Sequence, residues 1–237
     1  MADVHPDKLP LWASRVKIQR ARMLVDETQL EFDKYARSAP IEHTIVKDGG
    51  PRAELHIRIK ESPHIAGAVA CDAIHNLRSA LDLAAAELAR PYTSKKAYFP
   101  FARSAAELDG QINEKNFHFA GQDAVDVLKT FAPYKGGNTP LRALHDLDIQ
   151  DKHQSLVPTL FSFNSPVLRL WDDDGTRNLR FMPSDENDLA PFAFQFPING
   201  PFQGQEVVPT LKALVELVES IIEAFARMLD LRASSAF

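Results

Sequence analysis

The sequence predicts a mainly α-helical fold of the α+β class, a helical bundle with a small β-rich region. Apolar residues recur at helical spacing in three long stretches, at 7–37, 64–90 and 207–231. Short strand-like runs near 42–60 flank Asp48-Gly49-Gly50-Pro51, which is typical of a β-hairpin. Short apolar runs separated by Pro and turn residues fill 155–206. We therefore expect one domain over 1–237, with a helical core at 7–153 and 207–232 and a β-rich insertion at 155–206.

Composition places the chain among ordinary globular proteins. It has 237 residues, of which 45% are hydrophobic and 25% charged, and its net charge is -5. That charge argues against a general nucleic-acid coat protein, because phosphate binding requires a concentrated basic surface. A single cysteine, Cys71, excludes an intrachain disulfide and, with no signal-peptide pattern or membrane-length apolar run, predicts a cytoplasmic protein without membrane partners.

The individual helices can be delimited by their apolar spacing and their stop signals. The first is expected from Asp7 to Arg37, where Ser38-Ala39-Pro40 ends it. Its apolar stripe is expected to consist of Leu9, Trp12, Val16, Met23 and Leu30. Shorter helices are expected near 105–114 and 122–131. Another begins after Asn138 or Thr139, either of which can cap it, with Pro140 in its first turn.

The second long helix carries an unusual polar stripe. At about 100° per residue, Asp72, His75, Ser79 and Asp82 fall on one line, and Arg78 borders it. The opposite face is apolar and predicts core packing. A solvent-facing stripe is the simple interpretation. However, small residues beside an acid and an imidazole also suit a cleft, so both interpretations stay open.

A second polar segment lies in the helix that follows residue 138. Leu141, Leu144 and Leu147 define its apolar face, and two carboxylates, of Asp148 and Asp151, project into the same arc. Buried carboxylates need partners, because an unpaired buried charge destabilises a fold by about 3–5 kcal/mol. If the helix instead ends before residue 151, the following residues form a polar loop.

We expect the two polar segments to face each other and to pair. The candidate partners of the carboxylates are His75, Arg78 and Lys152, and His145 borders the same face. One interpretation is an ion-pair network that fixes helix register, and the other is a ligand or catalytic site. No cofactor is predicted. No metal is predicted either, because Asp72-x-x-His75 and His145-x-x-Asp148 depart from the Glu-x-x-His pattern of di-metal bundles.

Several motifs together resemble a large, poorly characterised family of bacterial proteins. They are the phrase from Asp72 to Asp82, then Pro133-Tyr134, Leu144-His145-Asp146-Leu147 and Asp151-Lys152-His153. The resemblance covers roughly the first two-thirds of the chain, and the family brings no settled activity.

A more distant similarity is to HEPN helical domains, many of which are ribonucleases. Their catalytic Arg and His lie on one helix, and Arg78 starts such a pattern. The shortest spacing puts the His at position 83, which is Leu83 here. His75 precedes the Arg and does not match the motif His.

We therefore expect a polar cleft between two helices, suited to acid–base hydrolysis of a phosphodiester such as RNA. The expected catalytic residues are His75, Arg78, Asp82, His145, Asp148 and Lys152. The expected ligand-binding residues are Asp72, Asn76, Asp151 and His153. The alternatives are a non-enzymatic module that binds a nucleotide, small molecule or protein, and an ion-pair network that is structural only. Nucleic-acid binding and a homodimer formed through a long terminal helix are left open.

Overall fold

A computed structural model describes residues 9–38, 41–47, 53–59, 63–154, 160–163, 168–173, 176–181, 192–196 and 200–235. It confirms a mainly helical bundle with minor β structure. The helices are α1 (Trp12–Arg37), α2 (His64–Ala89), α3 (Leu108–Glu114), α4 (Gln122–Thr130), α5 (Thr139–Gln154) and α6 (Val207–Ser234). The strands are β1 (Ile41–Lys47), β2 (Ala53–Ile59), β3 (Leu160–Phe163), β4 (Leu168–Asp173), β5 (Thr176–Phe181) and β6 (Phe192–Gln195). Single 3₁₀ turns form at Ala105–Glu107 and Phe117–Ala120.

Helix α2 is central and contacts α1, α5 and α6. Its predicted apolar face is confirmed, since Ile74, Leu77, Leu81 and Leu88 are almost completely buried. Alanines fill much of the remaining buried surface of α2 and let neighbouring helices approach closely. The apolar and alanine faces therefore place α2 in the core, and its polar stripe lies at the border of the core.

The prediction for the buried face of α1 is wrong. The expected stripe is largely exposed, and the opposite side of the helix packs against α2 and α6. The buried residues are Ser14, Ile18, Ala21, Leu24, Val25, Thr28 and Phe32. Three of them are small or polar, so hydrophobic spacing alone does not reveal this face. The buried hydroxyl of Ser14 is satisfied, because it donates a hydrogen bond to the carbonyl oxygen of Ala80 at 2.9 Å.

Helix α5 is held by a side-chain cap and a tight connector. Asn138 caps it, because its Oδ1 accepts a hydrogen bond from the backbone N–H of Leu141 at 3.0 Å. A Cβ on Gly137 would lie 2.5 Å from the carbonyl oxygen of Ala132, so the connector requires glycine there. The helix continues to Gln154, so the alternative in which it ends before residue 151 is wrong.

The strands form three antiparallel pairs, β1 with β2, β3 with β6 and β4 with β5. The two strands of the predicted hairpin pair from Ile41 opposite Ile59 to Lys47 opposite Ala53, and the expected turn at 48–51 lies outside the described residues. Phe194 on β6 stacks on Phe32 of α1 with ring centroids 3.9 Å apart, which joins the β3–β6 pair to the helical core. Asp173 at the end of β4 pairs with Thr176 at the start of β5, and residues 174–175 between them lie outside the described part of the chain.

Candidate functional site

Helices α2 and α5 lie side by side, and polar side chains pair across their contact. The most direct pair joins the imidazole of His75 to the carboxylate of Asp148, with 2.9 Å between Nδ1 and Oδ1. The Asp148 side chain is 5% exposed, whereas that of His75 is 49% exposed. A buried carboxylate on the leucine face of α5 therefore reaches a histidine at the protein surface.

This contact selects one tautomer of the neutral His75 ring. A carboxylate can only accept a hydrogen bond, so Nδ1 of His75 carries the donated proton. In the neutral imidazole, Nε2 then retains its lone pair. The Ser79 hydroxyl lies 3.4 Å from that Nε2, one helical turn further along α2. The result is a hydroxyl–imidazole–carboxylate array whose basic nitrogen faces outward.

A cation and an amide lie beside this array. Asn76 is the residue next to His75, and its Oδ1 accepts a hydrogen bond from Nζ of Lys17 on α1 at 3.1 Å. The Asn76 amide also donates to the backbone carbonyl of Asp72, at 2.8 Å. The Asp72 side chain is exposed. Lys17 therefore brings a positive charge from α1 to Asn76, the residue next to His75 on α2.

A second cluster forms deeper between the helices, around Arg78. This residue is 9% exposed, and its Nη1 forms an ion pair with Oδ1 of Asp82 at 2.6 Å. The angles of this contact do not meet hydrogen-bond geometry. Its Nη2 donates to the carbonyl oxygen of Phe99 at 3.4 Å, and its guanidinium lies 4.8 Å from the centre of the Phe101 ring. Asp82 also accepts from the backbone N–H of Phe99, at 2.9 Å. Arg78 and Asp82 thus fasten the 97–101 segment to α2.

His145 belongs to the Arg78 cluster and not to the outward array. Its Nδ1 accepts a hydrogen bond from Nε of Arg78 at 3.4 Å, and its ring stacks on Phe101 with centroids 4.3 Å apart. Burial, together with the positive charges of Arg78 and Arg142, lowers the pKa of His145 to about 4. His145 is therefore neutral at physiological pH, and one of its nitrogens is already engaged.

The structure thus divides the predicted site residues into two groups. His75 and Asp148 form the outward array, while Arg78, Asp82 and His145 form the inner cluster. Asn76 and Asp72 border the array. The backbone of Asp151, Lys152 and His153 continues α5, but their side chains lie outside the described part of the chain.

Several participants were not predicted from the sequence as site residues. Phe99 and Phe101 come from the segment between α2 and α3, and only the tertiary fold brings them to Arg78. Lys17 lies on α1, whose buried face was assigned to the wrong side. Ser79 was on the predicted polar stripe, and its spacing of one helical turn from His75 was the available signal.

Among the residues whose side chains are described, no group of three or more His, Cys, Asp or Glu is arranged to hold a metal ion. The helices in the described ranges include none with the length and apolar character needed to cross a membrane. Comparisons with family models, with curated proteins and with solved structures found no match to this chain.

Proposed function

We propose that this protein hydrolyses a phosphodiester by acid–base catalysis, with His75 as the general base. The hydrogen bond between His75 Nδ1 and the buried Asp148 supports this proposal most strongly. It orients the ring, fixes the tautomer and leaves the lone pair on Nε2, which faces the Ser79 hydroxyl near solvent, to accept a proton. Asp148 is then a positioning residue, because it acts on the substrate through His75.

The same geometry favours His75 over His145 as the base. A base that works near neutral pH needs an accessible lone pair and a pKa close to the operating pH. His145 has a pKa of about 4, and its Nδ1 accepts from Arg78. Arg78 itself is engaged by groups of the inner cluster, so its role in the proposal is to hold that cluster together.

Ser79 is a weaker candidate for a covalent nucleophile than its position suggests. It lies in the middle of α2, where the backbone N–H groups are used by the helix and are not available as an oxyanion hole. A hydroxyl supplied with the substrate makes a covalent step on Ser79 unnecessary, and the charge on the phosphate oxygens is then met by a nearby cation. RNA carries such a hydroxyl next to each phosphodiester. In the proposed step Nε2 of His75 removes the proton of the 2′-OH, the 2′-oxygen bonds to the phosphorus, and the P–O5′ bond breaks. The 5′-oxygen takes a proton from the protonated His75, and water then hydrolyses the 2′,3′-cyclic phosphate. RNA is therefore the substrate class that fits best, with Lys17 beside the phosphate.

The proposal includes membership of the poorly characterised bacterial family, and with it a cytoplasmic location. It rests on the motifs at 72–82, 144–147 and 151–153. Lys152, Asp151 and His153 enter the proposal through these motifs alone.

The test is cleavage of a single-stranded RNA labelled with a fluorophore and a quencher. We expect wild-type protein to cleave it and to leave the 2′-O-methyl version intact, and we expect His75→Ala to lose a factor of about 10²–10⁴ in rate. His64→Ala is the matched control, because His64 is an exposed histidine at the start of the same helix. Equal rates for the His75 and His64 variants would refute the role of His75.

A second candidate function is a non-enzymatic module that binds a nucleotide or small molecule in a degenerate HEPN-like site. The observation that favours it is Leu83, which occupies the position of the motif His one turn from Ser79 on α2. Leu83→His is the discriminating variant. Cleavage that appears only in this variant would favour the degenerate site, whereas cleavage by the wild-type chain that depends on His75 would exclude it.

A third candidate is a structural network that only fixes the register of α2 and α5. The buried position of Arg78 among Asp82, His145 and two phenylalanines favours it. Replacing Arg78 and Asp148 together by apolar residues tests it. A folded, more stable and fully competent double variant is the result that this candidate predicts.

A further inference from the structure

Helix α1 exposes a regular line of large apolar side chains. Leu9 just before the helix is 45% exposed, and within it Val16, Met23 and Leu30 are 43%, 55% and 55% exposed. Val16, Met23 and Leu30 occur at every seventh position of the helix, so they lie along one face, opposite the face that α1 buries against α2 and α6. A periodic line of this kind, unlike a single exposed leucine, is typical of a helix that packs against another helix.

The charges of α1 are segregated along its length. The first part, 12–22, contains four basic residues and no acidic residue: Arg15, Lys17, Arg20 and Arg22. The next part, 26–33, contains four acidic residues and no basic residue: Asp26, Glu27, Glu31 and Asp33. Two copies of α1 in parallel would place like charges together, whereas an antiparallel arrangement brings the basic part of each copy to the acidic part of the other.

We propose that the exposed line of α1 binds a second copy of this chain, with the two α1 helices antiparallel and crossing at Met23. A two-fold axis at Met23 makes the apolar line self-complementary. Met23 then meets the partner's Met23, and Val16 meets the partner's Leu30. This interface is independent of the chemistry proposed at His75.

The same symmetry predicts a specific ion pair at the edge of the interface. At about 100° per residue, Arg20 and Glu27 lie on the same side of the apolar line, roughly 40–60° from Met23. The two-fold axis that relates two antiparallel helices keeps each residue on its own side of the apolar line. It reverses the position of that residue along the helix, relative to Met23. Arg20 therefore lies opposite the partner's Glu27, and both residues are exposed in the single chain. On the other side, Gln19 lies opposite the partner's Asp26.

The neighbouring surface leaves room for this contact. A groove of about 330 Å³ runs between α1 and α6 beside the apolar line and is lined in part by Gln19, Met23 and Asp26. Its walls are fixed by ion pairs of Arg15 with Glu223 and of Arg22 with Glu219. A helix of 26 residues is about 39 Å long, so the interface falls at the small end of specific interfaces. We therefore expect reversible, concentration-dependent association.

The test is sedimentation velocity of the full chain from about 1 to about 500 μM. We expect a monomer–dimer equilibrium in the wild type and at least about a tenfold weaker dimer for Arg20→Glu, Glu27→Arg and Met23→Glu. The double variant R20E/E27R restores the pair in an antiparallel dimer and should return to within about threefold of wild type. Lys212→Glu, which makes the same charge change at an exposed position of α6, is the matched control.

Cross-linking gives an independent measurement of the same geometry. The residue Met23 meets its own symmetry mate, so Met23→Cys should form an intermolecular disulfide under mild oxidation, while Lys212→Cys should not. A wild-type chain that stays monomeric at every concentration would overturn the proposal and leave the apolar line to a different protein. A dimer that Met23→Glu and the charge reversals leave unchanged would also overturn it, since that dimer uses another surface. Melting curves of each variant separate loss of association from loss of folding.

Discussion

His145 makes a quantitative prediction about stability and pH. Its pKa falls from 6.5 to about 4 in the folded protein, whereas in the unfolded chain it stays near 6.5. As pH drops through this window, the unfolded chain binds a proton that the folded protein does not bind. The stability that neutral His145 provides is therefore complete above about pH 6.5, and it is lost as the pH falls towards 4.

The size of this effect follows from the same shift. A change from 6.5 to about 4 corresponds to about 3 kcal/mol at roughly 1.4 kcal/mol per pH unit. His145 is only half-buried in the inner cluster, and solvent screening reduces the expected value to about 2 kcal/mol. The cause is burial first and then the charge of Arg78, whose Nε donates to the ring.

The assay is urea unfolding of wild type and His145→Gln at several pH values between about 4 and 7.5. Carboxylates that titrate in both proteins cancel in the difference between the two unfolding free energies. We expect that difference to move against the wild type by about 2 kcal/mol between pH 7 and pH 4. A difference that does not change with pH, or a His145 imidazole that titrates near 6.5 by NMR in the folded protein, would contradict the lowered pKa of His145.

Three further predictions concern packing and backbone geometry, and each is measured by urea unfolding. Arg78→Met should lower the free energy of unfolding by about 2–3 kcal/mol, because it leaves the carboxylate of Asp82 unpaired and only partly solvated. Arg90→Met, at the exposed end of the same helix, should change the free energy of unfolding by less than about 0.5 kcal/mol. Leu81→Ala should cost about 2–5 kcal/mol because Leu81 is completely buried, and the half-buried Leu83→Ala should cost clearly less; equal losses would contradict the assigned core face. Gly121→Ala should cost about 1–3 kcal/mol, because φ is 99° and the new Cβ would lie 2.7 Å from an arginine nitrogen; a neutral substitution would contradict that backbone geometry.

The contrast between α1 and α2 explains how much of the fold the sequence could predict. In α2 the large apolar residues are the buried ones, so their spacing identifies the core face directly. In α1 the residues at the contact with α2 include Ser14, Ala21 and Thr28, which carry little hydrophobic signal. The larger residues Met23 and Leu30 remain exposed. Close packing against an alanine-rich helix selects small side chains, and periodicity of large apolar residues then points to the wrong face.

Part of the candidate site, the pairing of Asp148 with a partner on α2, was predictable from the sequence. Asp148 stands on a leucine face, so the need for a partner follows from the cost of burying a charge, and His75 was among the expected partners. The separation into an outward array and an inner cluster was not predictable. It depends on Phe99 and Phe101, which reach Arg78 through a connection that has no helical or strand periodicity.

The rate of RNA cleavage by Asp148→Asn measures the proposed role of Asp148, which is to orient His75 as a general base. This substitution keeps the shape of the side chain but removes the negative charge that stabilises protonated His75, and an amide that presents its NH₂ to Nδ1 also selects the wrong tautomer of the ring. We predict a rate lower than that of the wild type by a factor of about 10²–10⁴ with the folded structure retained. A folded Asp148→Asn protein that cleaves RNA at the wild-type rate would contradict the account.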